Sequence, residues 1–226
     1  MRIGTWNVAN EELSEKQKEM LVGQDCDIWL LTEINPRWIG SDGKMLSFHC
    51  HCTKEVMEIK PNQLWAAVLS AKPFDKTLDD PHPASAAAVV NGITYCSSVL
   101  PWRSAKESAF PPIDSSLTVK TEVAIDSLLE KLPRSNLVWG GDWNHSFVGS
   151  EVVGSNDGRK YLLEAINELG LQVPTKGFLH RNGISNTIDH LAVPTGWQVI
   201  DANQVSAKGL SDHDAYWIEV QESVNA

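Results

Sequence analysis

Short apolar runs of strand length recur along this whole chain, interrupted by only two or three stretches with helical spacing. Arg2–Val8 sets Ile3, Thr5 and Asn7 against Gly4, Trp6 and Val8, the period-two alternation of a strand. Asp27–Thr32 is a buried strand ending at Glu33, and Asn136–Gly141 is one leading into Asp142. The pattern predicts further strands near Met45–Cys50, Leu64–Ser70, Ala87–Val90, Ile93–Leu100, Thr187–Val193, Gln198–Val205 and Ala215–Val220. Asn91-Gly92 marks a hairpin between two of them, because both residues tolerate the positive φ of a type I′ turn. Ser14-Glu-Lys-Gln17 reads as a capping box opening a short helix that ends before Gly23. Ser115–Leu132 carries a helical stripe of Leu117, Thr121, Ala124, Ile125, Leu128 and Leu132, stopped by Pro133. Asp157–Leu169 is a second clear helix, closed by Gly170. So many short strands with so few helices predict a layered α/β protein, two sheets packed face to face with helices outside.

The 226 residues show no internal repeat, low-complexity tract or long linker, so a single domain over 1–226 is expected. Hydrophobic residues make up 42%, enough to bury a core without disulfide or metal staples. Cys26, Cys50, Cys52 and Cys96 form no paired framework and read as reduced thiols. Met1 is followed at once by a strand pattern, without the apolar region of a signal peptide. No apolar run approaches the ~18 residues of a membrane span, so a cytoplasmic protein with no membrane association is expected. The net charge of −10 argues against a nucleic-acid coat protein. It does not exclude a nuclease, since a metal site needs carboxylates and bound cations then screen the phosphates.

Polar residues stand where the apolar strands end: Asn7, Glu33, Asp142 with Asn144, Asp189, and Asp212-His213 before the last strand. Strand ends hold side chains rigidly and leave them reachable. Chemically the set is hard oxygen ligands plus one histidine, which suits Mg²⁺, Mn²⁺ or Ca²⁺ better than a thiolate-bound metal. Glu33, with Asp212, would hold the ion, and Asp142 would orient or deprotonate water. Asp189 would keep His213 charged toward a phosphoryl oxygen. Asn7 and Asn144 would hydrogen-bond phosphate or water without adding repulsive charge. Singly, each residue also has a structural reading as a turn, cap or solvated group.

Together, Thr5-Trp6-Asn7, Leu31-Thr32-Glu33, Gly141-Asp142-Trp143-Asn144, Ile188-Asp189-His190 and Ser211-Asp212-His213 resemble the ordered motifs of the endonuclease/exonuclease/phosphatase family. That family includes apurinic endonucleases, pancreatic-type deoxyribonucleases, inositol-polyphosphate phosphatases and bacterial sphingomyelinases. The resemblance spans residues 3 to 218. It implies a four-layer α/β/β/α sandwich, two mixed sheets flanked by helices, and Mg²⁺-dependent phosphoester cleavage with Mn²⁺ as an alternative ion. It also implies Glu33 as metal ligand, Asp142 and Asn144 as the pair positioning nucleophile and phosphate, and Asp189 as the support of a catalytic His213. Asp212 matches the neighbouring aspartate near metal or water, and Asn7 the asparagine of the first motif. A nucleic-acid substrate is the leading expectation. A phosphomonoesterase or small-molecule or lipid phosphodiesterase is the alternative of the same chemistry, and a non-catalytic binding module the contrasting class.

Two departures stand out. Members usually carry a His or Tyr at the end of the strand resembling Ile93–Leu100, where this chain has Ser98-Val99. Either Ser98, Trp102 or Arg103 substitutes there, or the contact is absent, within a Val-Leu-Pro-Trp-Arg run similar to small bacterial relatives. Trp143 also stands where phenylalanine is commoner. Arg37 beside Trp38 and Arg103 beside Trp102 would offer cationic and aromatic groups to bases and phosphates, with Lys176 and Arg181 as further candidates. The same tryptophans also read as caps on the core edge, with solvated arginines beside them. His49-Cys-His-Cys52 reads as a structural strand rather than a zinc site. Pro81-His-Pro83 reads as a loop in which His82 has no visible partner.

Overall fold

The alternating runs form two sheets. The computed structural model describes residues 1–9, 14–148, 153–180, 183 and 185–222. In chain order the elements are β1 (Arg2–Asn7), α1 (Glu15–Gly23), β2 (Ile28–Ile34), β3 (Lys44–Met45), β4 (Phe48–Cys52) and β5 (Leu64–Ser70). Next come β6 (Lys76–Thr77), β7 (Ser85–Val90), β8 (Ile93–Val99), α2 (Leu117–Lys131), β9 (Leu137–Asp142) and α3 (Asn156–Glu168). The chain continues with β10 (Leu171–Gln172), β11 (Asp189–Pro194), β12 (Gln198–Val205) and β13 (Ala215–Gln221). Most strands and helices fall within two residues of the bounds that the periodicity predicts; the Met45–Cys50 run instead splits into β3 and β4.

Local chemistry explains the helix ends. Ser14 Oγ accepts the Gln17 amide and Gln17 Oε1 accepts the Ser14 amide, closing the expected capping box. Ser116 caps α2 through its hydroxyl. Asn91 and Gly92 both have positive φ, 51° and 74°, as a type I′ turn requires.

One sheet has strand order β12-β13-β1-β2-β5-β4-β3 and the other β10-β11-β9-β8-β7-β6. Both are mixed, with parallel pairs β1–β2 and β8–β9 beside antiparallel neighbours. Their facing sides share a core of Ile3, Ile28, Leu30 and Val68 against Ala88, Tyr95, Val138, Leu191 and Val193. Outside the seven-stranded sheet, Met20 and Leu21 of α1 pack on Trp6, Trp29 and Leu31. Outside the six-stranded sheet, α2 and α3 set Ala124, Ile125, Leu128, Leu162 and Ile166 on Leu137, Trp139 and Cys96. The layer order is therefore the expected α/β/β/α. No described helix is long and apolar enough to cross a membrane.

His49 and His51 of β4 share one face, where both meet the edge of Phe74, while Cys50 and Cys52 pack toward the core. That strand is structural, as its alternation predicts. His82 departs from expectation: it is buried, stacks on Phe110 at 5.5 Å and accepts the Ala84 amide at Nδ1.

Burial pushes the imidazoles of His82 and His190 down to about 4 from an ordinary 6.5. Below pH 6.5 the unfolded chain takes up protons that the folded chain refuses. Their contribution to stability is thus intact above that pH and lost as pH falls toward 4. Thermal melts from pH 7 to pH 4 are expected to show a falling melting temperature, less steeply in His82→Phe.

Candidate active site

β1 and β2 run parallel, so Asn7 and Glu33 emerge at the same end of the seven-stranded sheet. β9 runs antiparallel to β11, so Asp142 at the end of one pairs with Asp189 at the start of the other. His213 precedes β13, which is antiparallel to β1. Five polar residues far apart in sequence thus meet at one end of the sandwich.

The hydrogen bonds show how closely they meet. Asn7 Nδ2 donates to Glu33 Oε1 at 3.1 Å and to Asp142 Oδ2 at 3.0 Å, joining the two sheets. Its Oδ1 accepts the Ala9 amide. Both N–H groups of Asn7 are therefore committed to the two carboxylates, which leaves the second lone pair of Oδ1 as its acceptor for water. Glu33 holds a left-handed backbone, φ 57°, a conformation that costs a non-glycine residue of order 1 kcal/mol and concentrates at functional sites. Its Oε2 pairs with the ammonium of Lys60, from the loop between β4 and β5.

Asp142 is reached through Gly140-Gly141. A side chain at Gly141, where φ is +123°, would collide with the backbone of Ser98 on β8; glycine lets the two strands approach so closely. Asp142 Oδ1 accepts the Asn144 amide at 3.1 Å, and Asn144 Nδ2 donates to Leu100 O at 2.9 Å. One amide proton of Asn144 remains for a ligand. Burial, reinforced by Asp189 and Glu33 and opposed by His213 and the Asn7 hydrogen bond, pushes the Asp142 carboxyl up to about 7.

His213 Nδ1 lies 2.7 Å from Asp189 Oδ2. Asp189 is fully buried, and its Oδ1 has no hydrogen-bond partner among the described residues. Burial alone would lower the imidazole; the Asp189 charge and hydrogen bond, aided by Asp142 and Asp212, outweigh it and raise the ring to about 10. The ring's loop is fixed by three bonds: Trp6 Nε1 donates to His213 O, Ser211 Oγ to Asn7 O, and the His213 amide to Ser211 Oγ. Asp189 and His190 do not pair with each other. Alternation on β11 sends His190 to the opposite face, against Trp143 and Phe147.

The remaining expected residues lie farther out. Asp212 is exposed beside His213, and no hydrogen bond among the described residues ties it to Glu33. Ser98 is corrected: it is fully buried on the helix side of its sheet, and its Oγ accepts Trp139 Nε1 at 2.9 Å, so it meets no substrate. Trp102 packs on Trp65 and Phe110 beside exposed Arg103, two residues past the Leu100 carbonyl that holds Asn144. Arg37 is exposed in the turn Pro36–Trp38, whose Trp38 caps the core beneath α1. Lys176 is exposed in the turn Pro174–Gly177. Arg181 lies outside the described residues.

Two residues at the site carry no sequence signal of their own. Lys60 sits in a polar loop, and the ring of His180 meets His213 edge-on at 5.2 Å. No strand end or motif marks either.

No family model matches the sequence, and no curated protein matches it. The fold does match solved structures. A 3′-5′ exonuclease (NExo) from Neisseria meningitidis superposes with a TM-score of 0.69 at 19% identity, covering 97% of this chain and 99% of that one. An AP endonuclease from Archaeoglobus fulgidus gives 0.69 at 17% identity, covering 97% and 98%. An endonuclease/exonuclease/phosphatase family protein from Leptotrichia buccalis C-1013-b gives 0.64 at 15% identity, covering 98% and 99%. The chain therefore has the endonuclease/exonuclease/phosphatase fold, as the motif resemblance implies.

If Asp189 holds His213 charged, Asp189→Asn should drop the ring's pKa from about 10 to the ordinary 6.5 or below, because burial then acts with little to oppose it. Titration of the His213 ring followed by NMR measures it.

Proposed function

We propose that this chain is a metal-dependent phosphoester hydrolase, and that its substrate is a nucleic-acid phosphodiester. The observation that carries the reading is one constellation: a carboxyl raised toward neutrality, an imidazole kept charged by a buried aspartate, and a separate glutamate, all on the end of one sandwich. Neighbours of the same fold include an exonuclease and an AP endonuclease, which favours nucleic acid over the small phosphoesters that the same chemistry also serves.

The donors fit a hard divalent cation, Mg²⁺ with Mn²⁺ as the alternative. Glu33 is oriented by Asn7 on one oxygen, and its other oxygen already accepts an ammonium, so that position takes positive charge. Glu33 would hold the ion, with Asp212 at the exposed rim. When bound, such an ion polarises a phosphoryl oxygen and stabilises charge developing on it.

The chain's own residues supply the rest. A carboxyl near 7 is poised to take a proton from water at neutral pH, and Asn7 fixes the direction in which Asp142 Oδ2 accepts. Nδ1 of His213 donates to Asp189, which leaves the far nitrogen of a charged ring to donate to a non-bridging phosphate oxygen. Asn144 directs its remaining amide proton to the same region. Trp102, Arg103 and Arg37 would meet bases and neighbouring phosphates from the rim.

The test is hydrolysis of single- and double-stranded DNA and RNA by the purified protein with Mg²⁺, Mn²⁺ or EDTA. Metal-dependent cutting is expected in at least one polymer, lost in EDTA. Asp142→Asn and His213→Ala should each lower kcat by roughly 10²–10⁴-fold. Glu33→Gln should instead raise the Mg²⁺ concentration needed for half-maximal rate. Intact polymers in every lane, with turnover of a small phosphoester, would overturn the nuclease reading and leave the hydrolase reading standing.

A further inference from the structure

Lys60 stands against the carboxylate assigned to the metal, yet no strand end or motif points to it. Its ammonium pairs with Glu33 Oε2, while Glu33 Oε1 is held by Asn7. The lysine side chain is 41% exposed and the glutamate 14%, so the pair is shielded on the glutamate side only.

The loop that brings Lys60 there is built, not loose. Val56 bridges to Leu64 at its base. The Met57 amide donates to Gln63 O and the Gln63 amide to Lys60 O, which closes a tight turn around the lysine. Met57 is buried in the cluster with Trp65 and Phe110. Glu58 locks the loop to the segment after β8: its amide donates to Glu107 Oε2, and its Oε1 accepts the Ser108 amide. These contacts set the lysine backbone within reach of Glu33 and leave its long stem to choose among neighbours.

We propose that Lys60 is the resident counter-ion of this site, competing with the divalent cation for Glu33. The inference rests on Glu33 being a metal ligand. Glu33, Asp142, Asp189 and Asp212 gather negative charge at one end of the sandwich, and like charges so close are costly in a partly buried setting. The lysine offsets that cost in the metal-free protein and keeps the glutamate extended toward the site. A cation arriving at Glu33 must displace the ammonium, and its binding is weakened by the strength of that ion pair. Freed from Glu33, the flexible ammonium remains at the mouth of the site, where phosphate would meet it.

Calorimetric titration of Mn²⁺ into the substrate-free protein tests this, comparing the parent with Lys60→Met, Lys60→Arg and Glu33→Gln. An ion pair of this exposure supports roughly two- to fivefold tighter Mn²⁺ binding in Lys60→Met. Lys60→Arg keeps the charge and should bind no tighter than the parent. A merely structural role would weaken binding on substitution, not strengthen it. Unchanged or weaker binding in Lys60→Met, with binding lost in Glu33→Gln, overturns the proposal and leaves the metal assignment intact. Binding that survives Glu33→Gln at parental strength overturns the assignment of Glu33 itself, and the proposal with it.

Discussion

A single asparagine amide joins the two sheets at their working end. Asn7 is 1% exposed, and its Nδ2 donates to Glu33 in its own sheet and to Asp142 in the other. Hydrogen bonds to charged groups are worth about 1.5–3 kcal/mol each, and a buried carboxylate left without one costs more. Asn7 is therefore well suited to this place: a donor with two protons and no charge orients two acids without neutralising either. The relative placement of the sheets decides whether that bridge can form, and Ser97 Oγ donating to Leu31 O ties them again nearby.

From that junction follows the electrostatic character of the site. Asp142 and Asp189 face each other across neighbouring strands, both nearly sealed from water. Two buried carboxylates cannot both carry a bare charge at low cost. The solution is a division of labour. Asp189 accepts the hydrogen bond of His213 Nδ1, whose ring is raised to about 10, and Asp142 is pushed up to about 7. A carboxyl raised toward neutrality thus stands beside an imidazole that stays charged at that pH.

The apolar framework keeps these positions fixed. Trp139 and Trp143 lie 4.4 Å apart between ring centroids, under α2 and α3, and Trp139 Nε1 occupies the Ser98 hydroxyl on the same side. Ser98 thus serves the packing of the helix layer, while Asp142 at the end of the adjacent strand serves the site. The alternation of a strand makes both uses compatible, since successive side chains point to opposite faces.

The amino-acid sequence alone determined much of this. Period-two runs, the capping box at Ser14, the Asn91-Gly92 turn and the stripe in Leu117–Lys131 place nearly every element, because those signals are local and depend only on neighbouring residues. The motif residues Asn7, Glu33, Asp142, Asp189 and His213 were legible for the same reason, each standing at a strand end. Tertiary structure decided how they divide the work. Only the crossing of two sheets shows that Asn7 spends its amide on Glu33 and Asp142 and that Ser98 faces the core. It alone brings Lys60 and His180 from unmarked loops to Glu33 and His213. Charge pairing and burial act through space between residues far apart in the chain, and no spacing along the sequence encodes them.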